Sequence, residues 1–243
     1  MREETEYRPK PMVEIGTKPI LWHVMKIYAH QGYNQFILPL GYKGDMIKRY
    51  FLEEGNHASD FTYDIKGKKI TYHGSNDHDF KITFVDTGLE SLTGERLLRV
   101  RHHLNDDEFM VSYGDGVGDV AINDLIAFHR KQGTVGTVTG SRPRSKWGLL
   151  SVDPSTNRAV NFTEKPVLHD YVNSGFMVFS RKIFDYVDEG PLEKALARLV
   201  ADRQLGVYAH DGFWKAMDTY QEMEELNKLW EKERPWAVWE KSA

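Results

Sequence analysis

The chain has 243 residues, a formal net charge of −4 and no cysteine. That length fits one large domain with a sizeable core, and the charge argues against nucleic acid or an anionic membrane as the main partner. Without cysteine there is no disulfide, no thiolate zinc site and no cysteine nucleophile, which suits a cytoplasmic protein.

No apolar run approaches the ~20 residues that span a bilayer, and the opening MREETEYRPK lacks the apolar stretch of a signal peptide. Pro9 and Pro11 flank Lys10 and are expected to hold the main chain extended, reducing the freedom the lysine loses on binding a ligand. An exposed lysine on a polyproline-like linker is the other reading of the same residues. Pro19 to Gly32 then places Ile20, Leu21, Val24, Met25, Ile27 and Tyr28 on one helical stripe, with proline at its start and glycine at its stop.

QFILPLGY is a short apolar run ending in glycine, the pattern of a parallel strand buried on both faces. GDMIKRYFLEEG reads as a helix with Asp45 near its start and Gly55 past its end. Residues 56–79 have another texture: FTYDI and KITYH alternate around KGKK, which predicts an inserted β-hairpin followed by the loop GSNDHD. KITFVDTG is a strand, SLTGERLLRVRHHL a helix, EFMVSYGDG a strand, INDLIAFHRKQG a helix closed by Gly133, and TVGTVTG a strand. Past Trp147 come the short strands GLLSVD, VNFTEK and VNSGFMVFS, two helices and the strand LGVYAHDG. Strands alternating with three-turn helices predict an α/β fold, a Rossmann-like, mainly parallel sheet with helices on both faces. The hairpin and a small substrate-side sheet are its additions, and no linker divides the chain.

In such sheets ligands bind beyond the carboxyl ends of the strands. Asp115 follows a strand and lies between Gly114 and Gly116, so it suits either a Mg²⁺ carboxylate or a turn aspartate bonded to its own loop. Thr219 and Glu222 have the spacing of a capping box, which leaves Asp218 just outside the last helix. It is either a second metal carboxylate or a favourable charge near a helix start. Glu164 and Lys165 end a strand that Pro166 stops, and an acceptor beside an ammonium suits a sugar hydroxyl and a phosphate, or a solvated charge pair. Asn173 and Gly175 begin the next strand. His102 and His103 lack regular ligand spacing, and PWAVW is expected to be an apolar anchor on this or a neighbouring subunit.

In this order, RPKPMVEIGTKPILWHVMKIY, GYKGDMIKRYF, VDTG with LTGERLLRV, SYGDGVGDV, TEKP, VNSGF, GFWKAMDT and LWEKERPW resemble the sugar-1-phosphate nucleotidylyltransferases. The resemblance runs from Arg2 to Trp239 and favours the cytidylyl branch over the thymidylyl and uridylyl branches. It implies that α-D-glucose 1-phosphate attacks CTP, giving CDP-glucose and pyrophosphate, within a pathway to CDP-linked sugars of surface polysaccharide.

The resemblance also implies residue roles. Asp115 and Asp218 hold Mg²⁺ and Lys10 binds triphosphate oxygens. Thr87, Gly88, Ser91, Thr93, Arg96 and Gly114 approach the nucleotide. Lys165 holds the sugar phosphate, Glu164 and Asn173 the sugar hydroxyls, and Trp214 walls the sugar pocket. A homo-oligomer, such as a hexamer, is implied as well. One departure stands out: that family opens with a strand and a GGxGTRL loop, and no such segment occurs in the sequence. The chain is therefore expected to be a fragment or mis-started reading of a complete enzyme rather than a degenerate relative, since the remaining site residues match, with ladder groups and apolar surface exposed on the neighbours of the strand it lacks.

Overall fold

The computed structural model describes residues 7–57, 60–73 and 80–240. Its first regular feature is a 3₁₀ turn, Lys10–Met12, closed by the Met12 and Val13 amides on the carbonyls of Pro9 and Lys10. The prolines thus fold the chain around Lys10 and do not extend it. Pro11 has no N–H to lose in a first turn, and its fixed φ already suits one.

A two-residue hairpin follows, β1 (Glu14–Ile15) against β2 (Lys18–Pro19), turning at Gly16 with φ +65°. A Cβ at Gly16 would lie 2.2 Å from the indole nitrogen of Trp230, so both the turn and the packing require glycine. Helix α1 (Ile20–His30) buries Trp22 and His23 as well as the predicted stripe. It is enclosed on more sides than a surface helix, because the C-terminal tryptophans cover its outer face.

Strand β3 (Gln35–Leu40) leads to helix α2 (Gly44–His57), which runs through Gly55, a residue that weakens a helix without ending it. The inserted hairpin is β4 (Phe61–Asp64) paired with β5 (Lys69–Tyr72); the loop GSNDHD lies outside the described residues. Then come β6 (Lys81–Asp86), α3 (Thr93–Val100), β7 (Glu108–Ser112), β8 (Gly116–Gly118), α4 (Ile122–Gln132) and β9 (Gly136–Ser141). Gly133 closes α4 in the left-handed conformation, as its position predicts. The rest is β10 (Leu149–Asp153), β11 (Arg158–Thr163), β12 (Val172–Ser180), α5 (Leu192–Ala201), β13 (Leu205–His210), β14 (Trp214–Ala216) and α6 (Tyr220–Lys232). Where a helix was predicted before α5, the chain also makes a 3₁₀ segment, Arg181–Asp185.

The four-stranded sheet has the order β13-β9-β12-β7 and is mixed: β13 runs parallel to β9, while β12 is antiparallel to both β9 and β7. The mainly parallel expectation fails here for a topological reason. β12 is reached through the β10–β11 hairpin without a crossover helix, so it enters from the opposite end. β3 and β6 form a separate parallel pair. Leu40 is buried, but Gln35 and Pro39 are exposed and the residues between are half-buried, so β3 is not covered on both faces as its composition predicts.

The reason lies beside it. β3 has β6 as its partner and β7 ends the larger sheet, and a cavity of about 1010 Å³ lies between the two edges. One wall is the Leu21, Val24, Met25 and Tyr28 face of α1; the other includes Arg96, Leu97 and Val100 of α3. One core cluster gathers Ile122, Leu125, Phe176, Leu226 and Trp236, fully or almost fully buried, around α1 and β8.

Candidate active site

The site forms where two short strands bring distant carboxylates together. β8 pairs antiparallel with β14, with Gly116 opposite Ala216, and the Met217 amide then donates to the Asp115 carbonyl at 2.8 Å. Asp115 and Asp218 therefore lie side by side at the same end of one ribbon. Gly118 fits the Phe213 carbonyl, which an added Cβ would approach to 2.9 Å, so glycine permits the close strand contact.

Asp218 is fixed from its other side. Thr219 caps α6 by accepting from the Glu222 amide, and Glu222 Oε2 accepts from the amides of Asp218 and Thr219 at 2.8 and 2.9 Å. The predicted capping box is present, and it orients the residue before it. Burial works to raise the Glu222 pKa, but the bonds from Lys146 and these donors outweigh it and hold the carboxyl below its ordinary range.

Lys10 reaches this pair from the 3₁₀ turn. Its Nζ lies 2.5 Å from Asp218 Oδ1 and 3.3 Å from Asp115 Oδ2. Burial disfavours the charge, yet the two carboxylates prevail and hold the ammonium above its ordinary pKa. Pro11 packs toward Gly114, whose added Cβ would sit 3.2 Å from the proline ring, so the turn carrying Lys10 is seated against the loop carrying Asp115. The two carboxylates beside this ammonium are hard oxygen donors. Among the described residues no group of three or more histidine, aspartate or glutamate side chains is suited to hold a metal. The pair matches the demand of Mg²⁺, which takes one or two carboxylates and fills its shell with phosphate oxygens and water.

The other predicted residues divide by what their side chains do. Thr87 Oγ1 donates to the Leu40 carbonyl, and Ser91 Oγ donates to the Thr87 carbonyl. Thr93 Oγ1 accepts from the Leu192 amide, and Arg96 Nε donates to the Ser91 carbonyl. All four side chains have partners within the fold, and the loop turns at Gly88 with φ +86°. Arg96 and Gly114 both line the cavity described above.

Asn173 accepts from the Gly175 amide at 3.0 Å across an irregularity in β12, and Trp214 Nε1 donates to the Ser174 carbonyl at 2.8 Å. These two are thus tied to adjacent points of one strand, beside β8. Glu164 and Lys165 are exposed at the end of β11, with Lys165 in the left-handed conformation at φ +44°. They reach the same end of the molecule through the segment Pro143–Trp147 and are not bonded directly to Asp115 or Asp218.

Sequence reasoning missed Tyr113, whose hydroxyl donates to Glu193 at 2.7 Å. Burial first, then Glu193, push that hydroxyl well above the usual phenol range. It also missed Arg99, which donates to the Thr87 carbonyl, and Lys146, which pairs with Glu222. None of these carries a local signal, since each acquires its partner through tertiary contact.

The model of the family "Nucleotidyl transferase" matches residues 4–232. The chain belongs to the nucleotidyl transferase family. It is 42% identical over 245 residues to the probable glucose-1-phosphate cytidylyltransferase of Bacillus subtilis (strain 168), covering 98% of this chain and 95% of that protein. It is 40% identical to the glucose-1-phosphate cytidylyltransferase of Salmonella typhimurium, with 99% and 95% covered.

Among solved structures, the UTP-bound UGPase from Acinetobacter baumannii superposes on this nucleotidyl transferase with a TM-score of 0.67. The identity there is 17%, with 98% and 91% of the two chains covered. HddC from Yersinia pseudotuberculosis gives 0.66 at 20% identity, with 91% and 90% covered. These two likenesses establish the mixed α/β fold. No helix among the described residues of the transferase is long and apolar enough to cross a membrane.

Proposed function

We propose that this chain transfers a cytidylyl group from CTP to α-D-glucose 1-phosphate, giving CDP-glucose and pyrophosphate, as a single catalytic domain. The observation that carries this reading is the convergence of Lys10 on Asp115 and Asp218. It occurs in a chain that matches glucose-1-phosphate cytidylyltransferases along almost its whole length.

In the reaction an oxygen of the sugar phosphate attacks the α-phosphorus of CTP in line. The bond from that phosphorus to the bridging oxygen breaks, and pyrophosphate leaves with the electron pair. No enzyme nucleophile is required, so the protein's task is to align two polyanions and neutralise the charge that develops between them. Asp115 and Asp218 would hold Mg²⁺, which supplies charge neutralisation on the nucleotide phosphates. Lys10 exchanges its carboxylate partners for triphosphate oxygens. The 87–96 loop and Gly114 receive the nucleotide. Lys165 holds the sugar phosphate, Glu164 and Asn173 bond the sugar hydroxyls, and Trp214 walls the sugar pocket.

Self-association fits the exposed apolar side chains Phe61, Tyr63, Ile65 and Ile70 of the β4–β5 hairpin, and Leu150 and Phe162 of the β10–β11 hairpin. A second reading, a non-catalytic sugar-nucleotide binding module, is favoured by one observation, the open cavity between β3 and β7.

The deciding experiment measures pyrophosphate release with glucose 1-phosphate, Mg²⁺ and each of CTP, UTP and dTTP. It is run on this chain and on one with a GGxGTRL segment added ahead of it. CTP-dependent release is expected from the extended chain. If both chains are inert with every nucleotide, the binding-module reading replaces this one; preferential release with UTP or dTTP overturns the base assignment.

A further inference from the structure

The segment between β9 and β10 carries no residue that the reaction above uses, yet it is built to a definite shape. Ser145 N donates to the Pro166 carbonyl at 2.7 Å, and Leu168 N donates to the Pro143 carbonyl at 3.0 Å. Arg144 and Val167 form an antiparallel bridge between these bonds. Residues 143–145 are thus zippered to residues 166–168, immediately after Glu164 and Lys165. Gly148 sits against the same pair, since an added Cβ there would come 2.8 Å from Glu164 Oε2.

Ser145 then closes a tight turn on itself. Its hydroxyl donates to the Trp147 carbonyl at 2.7 Å and accepts from the Trp147 amide at 3.1 Å. This turn fixes the direction in which Lys146 leaves the backbone. Lys146 Nζ lies 2.7 Å from Glu222 Oε1. The other oxygen of that carboxylate is the one bonded to the amides of Asp218 and Thr219. A continuous set of bonds therefore runs from Lys165 through Pro166, Ser145, Lys146 and Glu222 to Asp218.

We propose that Lys146 is a positioning residue: through Glu222 it sets the distance between the sugar-phosphate segment Glu164–Lys165 and the carboxylate of Asp218. The inference rests on the functional reading of Lys165 and Asp218 given above. The energetics point the same way. Lys146 is 56% exposed, and an ion pair of that exposure adds little to stability. Its effect is on geometry, because a small error in the separation of two reacting polyanions is costly in rate. Thr219 still accepts from the Glu222 amide without Lys146, so α6 still forms; what loosens is the Glu222 carboxylate, its bonds to the Asp218 and Thr219 amides, and with them the register between α6 and the 143–168 ribbon.

The test is a kinetic split with a structural control. Lys146→Met is expected to raise KM for glucose 1-phosphate by about tenfold while changing KM for CTP by less than about twofold, and Lys146→Arg is expected to restore most of the loss. Combined with Glu222→Gln, the Lys146→Met change should add nothing further, because both remove one connection. Equal KM values for variant and wild type, or a parallel rise for both substrates, overturns the proposal.

Hydrogen exchange separates its failure from that of the functional reading. In Lys146→Met the amides of Asp218 and Thr219 are expected to exchange faster together with those of Ser145 and Leu168, whether or not the chain turns over CTP. Unchanged exchange at all four sinks the coupling. Faster exchange in a chain that releases no pyrophosphate even when extended sinks only the assigned reaction.

Discussion

Lys10 is the residue on which the site turns, and its setting makes a sharp prediction. Between Asp115 and Asp218 it is the nearest positive charge to two carboxylates that a 2.8 Å backbone bond holds side by side. Lys10→Met removes both the neutralising charge and the phosphate donor, so kcat is expected to fall by about 10²–10³ in a chain that turns over CTP, the cost of losing one strong donor to developing charge. Thermal unfolding should change little, because the ammonium is about a third exposed. A loss below tenfold in a pyrophosphate-release assay would remove Lys10 from the mechanism. The identity of this lysine was legible in RPKPM, but its conformation was not. Two prolines suit an extended chain as well as a 3₁₀ turn, and the seat of Pro11 on Gly114 decides between them.

At the scale of elements, the last helix was the most legible, because a capping box is local in sequence and its bonds are local in space. Its consequence for Asp218 follows from the same geometry. Thr219→Ala should cost about 1 kcal/mol of stability, the usual loss for an N-cap hydroxyl, and should lower activity by more than that loss explains, because Asp218 immediately precedes the cap and its amide bonds to the same capping box. Thr219→Ser should recover both. Denaturant midpoints and initial rates on the three proteins check this, and equal rates for wild type and Thr219→Ala would mean that Asp218 is held without the cap. The β8–β14 ribbon, by contrast, was not legible. GVG and WKA lack the alternation that marks a strand, and they become strands only because their backbones meet. The internal partners of the 87–96 loop were equally hidden: its hydroxyls and arginine bond to the carbonyls of Leu40 and Ser91 and to the Leu192 amide, contacts that no local pattern announces.

Across the whole molecule, the order of strands and helices could be read from periodicity, but the direction of β12 could not, since pairing is a long-range choice. The joining of the chain's two ends was also hidden. His23 of α1 is fully buried, its Nε2 donating to the Ile15 carbonyl at 3.0 Å and its Nδ1 accepting from Trp236 Nε1 at 3.3 Å. Burial is the chief reason its pKa is pushed down to about 4. The imidazole is therefore neutral in the fold and gains a proton more readily once unfolded. Its contribution is complete above about pH 6.5, the ordinary histidine value, and is lost as the pH falls from there toward 4, reaching roughly 3 kcal/mol. Unfolding free energies of the wild type should decline across that window, and those of His23→Gln should decline less steeply. Parallel curves would clear His23 of the role.

The tryptophans around that histidine have an optical consequence. Of six in the chain, Trp22, Trp230, Trp236 and Trp239 gather at His23, while Trp147 is 72% exposed and Trp214 stands beside the site. The intrinsic emission of the protein is therefore dominated by a buried cluster on the face where the two ends of the chain meet. Its colour and intensity gauge whether the C-terminal segment is docked, while Trp147 and Trp214 report on parts of the fold away from that face.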